Sequence, residues 1–421
     1  MRNSRILAAF SVPGYGWLWL STLTNSSIIS VFLLAQGWLL LDMTGSAFMV
    51  GFGPGFFGGA SLLSGLFAGV LADRVDRRNI VMAVQSSLAA AILLLAVLAV
   101  SDLIQVWHVL AVAGVVGLLW GCQGPSRSTL QFDLVGRERL VNAIATQFMA
   151  HHLSSVLGPL GAGFVLEYYG AGPLFFIVSG WLALGALCLT KVPRPARVTP
   201  AKGSVISNLL AGFSYIWHDK RSRTVFSVIL ITEGLGFSSV SMLPVVVRDN
   251  LHAGALVLGL LATFRGVGGM TAALIVSRFS DVKSKGWVFV CASFGFGASL
   301  VLFSFSREIP LSLALLVAVG ACGVVYDTFG VTLLQSLSPE AMRGRVMGVY
   351  SSILSGINLG GFGMGSVAGA LGVTWAIAGG GGIVALHALS RMPMAGFMGR
   401  PRGVEESATP PGRPAAAGAK D

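Results

Sequence analysis

The sequence predicts an all-α membrane protein of twelve transmembrane helices arranged as two six-helix bundles. Three observations predict it. Of 421 residues, 54% are apolar and only 11% are charged, against about 25% charged in soluble domains. The mean hydropathy is +0.79, too high for a soluble fold and the opposite of what intrinsic disorder requires. Twelve long apolar runs follow one another, and the longest interior polar stretch divides them six and six.

The runs lie at 17–41, 48–71, 80–100, 106–122, 141–166 and 174–189, then at 225–247, 256–276, 287–305, 311–334, 346–370 and 373–389. Each approaches the roughly 20 residues that cross a bilayer as a helix. An even number of spans puts both termini on one side. With the N-terminus in the cytoplasm, 25 of the 28 Lys and Arg residues fall in cytoplasmic segments, Arg248 and Arg307 fall outside, and Arg265 lies within a span. That bias is the positive-inside pattern. It accounts for the net charge of +11 by orientation and contact with anionic lipid, so nucleic-acid binding is not inferred. The first run is too long for a cleavable signal peptide and no small-residue cleavage site follows it. Cys122, Cys188, Cys291 and Cys322 lie in or at the ends of spans, and no disulfide is expected.

Residues 1–190 thus form an N-terminal six-helix unit, 191–223 a cytoplasmic linker with seven basic residues, 224–391 a C-terminal unit and 392–421 a disordered cytoplasmic tail rich in Pro, Gly and Ala. The halves show weak self-similarity. An offset of 204 aligns Arg74 with Arg278, Gln131 with Gln335 and Arg139 with Arg343, and an offset of 208 aligns Ala47 and Gly51 with Ala255 and Gly259, as a duplicated unit would. Gly51, Gly55 and Gly59, and likewise Gly361, Gly365 and Gly369, repeat at four-residue spacing. Such stripes let helices approach closely, either as static packing or as sliding interfaces.

The connection between the second and third spans reads Gly69-Val70-Leu71-Ala72-Asp73-Arg74-Val75-Asp76-Arg77-Arg78. It resembles the signature loop of the major facilitator superfamily, Gly-x-Leu-Ala-Asp-Arg-x-Gly-Arg-Arg, with Asp76 in place of the second Gly. Thr44-Gly45-Ser46-Ala47, Gly124-Pro125-Ser126-Arg127 and Arg343-Gly344-Arg345-Val346 are similar to stretches of its enterobactin-exporter and macrolide-efflux branch. The resemblance implies the major facilitator fold and a secondary active transporter of the cell inner membrane, working by alternating access. It implies proton-coupled efflux, an antiport, of a drug-like or siderophore-like small molecule. An importer or uncoupled facilitator of the same fold, or a transporter-like sensor that moves nothing, stays open. The resemblance further implies a gate built from Gly69, Asp73, Arg74, Arg77, Arg78, Arg127 and Arg343, in which Asp73 meets the start of the eleventh span and Arg127. The alternative is that these charges only anchor loops at the headgroups. Two departures stand out. Trp120 occupies the place where drug–proton antiporters carry an Arg ahead of the Gln123-Gly124 pair, and the later copy, Ser277-Arg278-Phe279-Ser280-Asp281, is degenerate.

Three ionisable groups sit well inside spans: Glu233, Arg265 and Asp327. At about 1.5 Å per residue they lie ~12, ~16 and ~10 Å from the cytoplasmic ends, in one layer of the second half. A charge at the bilayer centre costs about 2.5–3.5 kcal/mol on insertion scales, so each is a candidate site. A Glu233–Arg265 pair is expected across adjacent helices, leaving Asp327 unpaired beside Tyr326 and Phe329. Either acid is a candidate proton carrier, and a fixed ion pair or hydrogen-bonded acid is the structural alternative. His151 joins Gln147, Ser154 and Gly158 on one helical face, where it could shuttle protons or bond a neighbouring helix. Asn25, Gln36, Trp120, Gln123, Tyr326 and Asn358 are cavity-lining candidates from similar weakly polar and aromatic stripes. No metal-ligand cluster, cofactor motif, Gly-x4-Gly-Lys-Ser/Thr loop or nucleophile–base–acid set is legible, so an enzyme is not expected.

Overall fold

In lipid every backbone polar group must be satisfied within its own segment, which leaves long helices as the economical solution for runs this apolar. The computed structural model describes residues 8–74, 76–194, 205–278 and 284–398. Those residues are helical with short connections and no strand. The first half comprises α1 (Tyr15–Thr44), α2 (Ala47–Arg74), α3 (Arg77–Val100), α4 (Val106–Tyr169) and α5 (Ala171–Thr190), followed by α6 (Val205–His218) in the linker. The second half runs through α7 (Lys220–Ile231), the short α8 (Ser238–Val240) and α9 (Leu243–Val245), α10 (Ala255–Arg278), α11 (Lys285–Phe305) and α12 (Ile309–Leu337). It closes with α13 (Glu340–Gly356), α14 (Gly360–Leu371), α15 (Val373–Arg391) and α16 (Ala395–Met398).

Among the described residues, eleven helices are long and apolar enough to cross a membrane. The fifth span expected from the sequence is helical too, as the second arm of α4, but its polar stripe and flanking charges lower its hydropathy. The fourth and fifth spans are two helical arms that meet directly at a break at Gly136, where φ is +68° and ψ 178°. The connection expected at 123–140 is therefore helix rather than loop. A positive φ is a conformation that glycine adopts without a Cβ penalty, so Gly136 can turn the chain while the ladder resumes on both sides.

Two other spans are broken. The seventh unwinds into π turns at Thr232–Phe237 and Val246–Asn250. The eleventh changes to a 3-10 turn at Ile357–Leu359, between α13 and α14. The first π turn lies against the 3-10 turn, and just beyond it the Ser238 hydroxyl donates to the Ile357 carbonyl at 3.1 Å.

Within the first half, α1 packs on α2, α4 and α5, while α3 packs on α4 and α5. Within the second, α10 and α11 pack on α12, and α11 and α14 pack on α15. The halves meet along two main seams, α2 against α14 and α4 against α10. Each seam is a glycine crossing, and the two stripes noted in the sequence face each other in the first. A Cβ on Gly51 would lie 2.7 Å from the Gly365 Cα, and one on Gly163 would lie 2.7 Å from the Gly259 Cα. Both crossings sit at the molecular end that carries the connections at 45–46, 170, 251–254 and 372.

That end also holds two charged fastenings between halves. The Arg248 Nη1 donates to the Leu41 carbonyl at the end of α1, at 2.8 Å. The Glu167 carboxylate accepts from the Leu256 N–H at the start of α10, at 3.2 Å. A cation at a helix C-terminus and an anion at an N-terminus are each favoured by the helix dipole.

Candidate functional site

The motif after α2 splits at the edge of what is described: the side chains of Gly69, Asp73 and Arg74 lie outside the described residues, as do Phe279, Ser280 and Asp281 of the degenerate copy and the tail from 399. The rest of the motif fastens the first half to itself. Asp76, the departure from the family pattern, is the N-cap of α3, its carboxylate accepting from the Arg78 N–H at 2.9 Å. An aspartate there satisfies an otherwise orphaned backbone donor. Arg77 forms an ion pair with Asp133 of α4, whose side chain is 3% exposed. The Arg78 Nε donates to the Leu189 carbonyl at 2.8 Å and its Nη2 to the Thr190 carbonyl, both at the end of α5. On the other half, the Arg343 Nε donates to the Gln335 carbonyl of α12 at 3.2 Å.

Arg127, expected in a loop beside Asp73, lies inside α4 and is 6% exposed. Its Nη1 donates to the Thr22 hydroxyl at 3.0 Å and its Nη2 to the Gln85 Oε1 at 2.8 Å, with Ser21 Oγ at 3.4 Å from both. Gln85 is itself fully buried and also accepts from Ser21 at 2.9 Å. The cation thus sits in a neutral cage of α1 and α3 groups, and its Nε finds no partner. A void of about 10 Å³ beside it, lined in part by Tyr15, Gln131 and Gln147, has room for about one water.

The acids of the second half come together differently from the expected pairing. Glu233 and Arg265 form no ion pair with each other. Glu233, 2% exposed, is the second residue of the first π turn. A π turn carries an extra residue, which rotates the following face by about 100°. Glu233 lies close to Tyr326 of α12 and within electrostatic reach of Asp327. The Tyr326 hydroxyl is also 3.3 Å from the Ile229 carbonyl, and its ring stacks on Phe289 at 5.4 Å. Asp327 is exposed and accepts a hydrogen bond from the buried Tyr350 of α13. Two carboxyls and two phenols from the π turn after α7, from α12 and from α13 therefore form one cluster. Sequence reasoning missed Tyr350, because its register opposite Asp327 depends on how α13 packs.

Arg265 instead stands across the α4–α10 seam, within electrostatic reach of His151. Its Nε has no partner. His151 is exposed, with its ring 6.0 Å from that of His152. Further along that stripe, Ser154 turns to α1, donating to the Leu23 carbonyl at 3.2 Å.

Of the cavity candidates, Asn25, Gln36, Gln123 and Tyr326 are buried, while Trp120 and Asn358 are half-buried. Asn25 Oδ1, both polar atoms of Gln36 and Gln123 Nε2 have no hydrogen-bond partner among the described residues. Buried amides are rarely left so, and the first half thus carries several open donors and acceptors.

Comparison with known proteins extends the pattern. Residues 4–397 match the family described as transmembrane secretion effectors. Over 320 residues the chain is 25% identical to an enterobactin exporter of Shigella boydii serotype 4 and to one of Escherichia coli O1:K1, covering 74% of this chain and of each relative. Among solved structures, a POT family transporter in complex with 5-aminolevulinic acid superposes with a TM-score of 0.73 at 12% identity, over 92% of this chain and 97% of that one. The nucleoside transporter NupG gives a TM-score of 0.67 at 14% identity, over 90% and 98%. Twelve helices in two bundles, the motif around Asp76 and Arg77, and a family match that spans nearly the whole chain agree: the chain is a multi-pass membrane transporter of the major facilitator superfamily and belongs to its transmembrane secretion effector family.

Proposed function

We propose that the protein is a proton-coupled exporter of a siderophore-like or drug-like molecule, working by alternating access. The units at 1–190 and 224–391 rock about the linker at 191–223, both termini lie in the cytoplasm, and the glycine seams seal the outer end. The observation that carries the coupling is the cluster of Glu233, Tyr326, Asp327 and Tyr350. Two neighbouring carboxyls with no paired cation repel when both are ionised, and one shared proton relieves that repulsion. A ligand or proton shifts a two-state transporter only by its differential affinity for the two states. This cluster can supply such a difference, because it joins the π turn after α7 to α12 and α13, and both that turn and α13 belong to broken spans. Export and a siderophore-like substrate are supported by the enterobactin exporters among its relatives. The open amides of Asn25, Gln36 and Gln123 support a wall that bonds a polar, aromatic solute.

The test is uptake into inside-out vesicles under an imposed proton gradient, with catechol siderophores and amphipathic drugs as the panel. Uptake that dissipates the gradient, and that Glu233→Gln or Asp327→Asn abolishes in folded protein, is the expected result. Uptake indifferent to the gradient and to both substitutions overturns the coupling and makes the protein a facilitator. Transport only in the opposite direction makes it an importer. Folded protein silent across the panel favours a sensor.

A further inference from the structure

The helix of the linker, α6, presents three distinct sectors. Leu209, Gly212 and Ile216 face the protein: Ile216 is fully buried, and a Cβ on Gly212 would lie 2.7 Å from the Arg345 carbonyl carbon at the head of α13. Tyr215 reinforces that face by donating to the Leu337 carbonyl at 3.0 Å. Ser207, Ser214 and His218 form an exposed polar sector. Between them lie Leu210, Phe213 and Trp217, spaced i, i+3, i+7, which are 65%, 45% and 57% exposed. The Phe213 and Trp217 rings stack at 5.9 Å, so the patch is continuous.

An apolar sector at right angles to a polar one, on a helix packed to its protein along a third line, is the geometry of a helix lying in a membrane interface. Position supports it. A single residue, Asp219, separates α6 from α7, which begins a spanning segment. The patch is thus held at the bilayer surface. Trp217, at the end of the apolar sector, is the residue type favoured at headgroup depth. Lys220 and Arg223 are exposed beside it, and the Arg223 Nη1 is 3.4 Å from the Trp217 carbonyl. Basic side chains near the surface are attracted by an anionic leaflet.

We propose that α6 is an interfacial anchor that docks on the protein's own bilayer, with Leu210, Phe213 and Trp217 among acyl chains and Lys220 and Arg223 on anionic headgroups. Because its protein face clasps α13, the helix that carries Tyr350, lipid bound at α6 is linked to the conformation of the acid cluster. The docking itself rests only on the chain spanning a membrane and stands whether or not the protein exports.

The test uses full-length protein in nanodiscs of phosphatidylcholine with and without phosphatidylglycerol. Spin labels at Leu210→Cys, Trp217→Cys and Ser214→Cys, in a background whose four cysteines are replaced, are read against oxygen and a nickel chelate. Oxygen should relax the labels at 210 and 217, and nickel the label at 214. Phosphatidylglycerol should move 210 and 217 deeper, and Lys220→Gln with Arg223→Gln should abolish that shift. Nickel access equal at all three sites overturns the proposal, since the helix then lies in water. Exclusion of both reagents at 210 and 217 also overturns it, in favour of a second copy or a peptide covering the patch. A second measurement keeps the native cysteines. In brominated phosphatidylcholine, Trp217→Phe should remove part of the tryptophan quenching, and unchanged quenching counts against the proposal.

Discussion

Gly163→Ala should shift the protein away from the conformation described here. A Cβ at this position would lie 2.7 Å from the Gly259 Cα and 2.8 Å from the Ala255 carbonyl oxygen. Both are backbone atoms of α10, so no rotamer change relieves the clash and the two helices must separate. Overpacking of this kind costs about 1–3 kcal/mol. If the other state parts α4 from α10 at this end, that cost falls on the sealed state alone. The ratio of sealed to open molecules then drops roughly 5- to 150-fold, at about 1.4 kcal/mol per decade. The assay is the distance distribution between spin labels at Tyr168 and Leu371, both exposed, on opposite halves and at the end where the glycine seams cross. The variant should populate longer distances. Gly161→Ala, where an added Cβ meets nothing within 4 Å, should not. An unchanged distribution for Gly163→Ala, in protein that folds and retains its Tm, would refute the seam as a gate.

Other outcomes are expected elsewhere. Glu167→Gln should shift the same distribution in the same direction but by less, since an exposed charge at a helix N-terminus contributes about 0.3–1 kcal/mol; high salt should shrink the difference from wild type. Asp76→Ala should lower the Tm through loss of the α3 cap, about 0.5–2 kcal/mol, whereas Asp76→Gly should cost only a few tenths; equal losses would argue against capping. Gln85→Leu should destabilise by about 1–3 kcal/mol, because Arg127 and Ser21 both lose their acceptor in a buried site. Thermal denaturation of the purified protein in detergent reads it, and an unchanged Tm would mean that water replaces the amide.

The spans were legible because lipid leaves a chain few ways to cross, and a run of twenty apolar residues declares itself in composition alone. The glycine stripes were legible as spacing, and the structure adds that Gly51 of one meets Gly361 and Gly365 of the other. Arg127 was misplaced for a local reason: Gly124-Pro125 reads as the end of a helix, yet α4 carries on through both. The Glu233–Arg265 pairing failed because it assumed a regular helix. The π turn at Thr232–Phe237 changes which neighbour Glu233 meets, and no periodicity announces it. Asp76 was seen as a departure from a family pattern. Its role was in fact open to reading, since an aspartate just before a helix is a capping signal. Tyr350, Gln85 and Asp133 are buried partners whose importance depends on helices distant in sequence.

The neutral cage around Arg127 bears on how the protein is made. A guanidinium entering the bilayer on an isolated helix lacks any partner there, and its insertion carries a free-energy cost. Ser21, Thr22 and Gln85, which receive its hydrogen bonds, are all synthesised before it. The acceptors precede their cation along the nascent chain, so the first and third helices can stand ready in the membrane when the fourth arrives. Insertion of the fourth helix is then assisted by the two already in place, and the same groups order biogenesis before they stabilise the finished bundle.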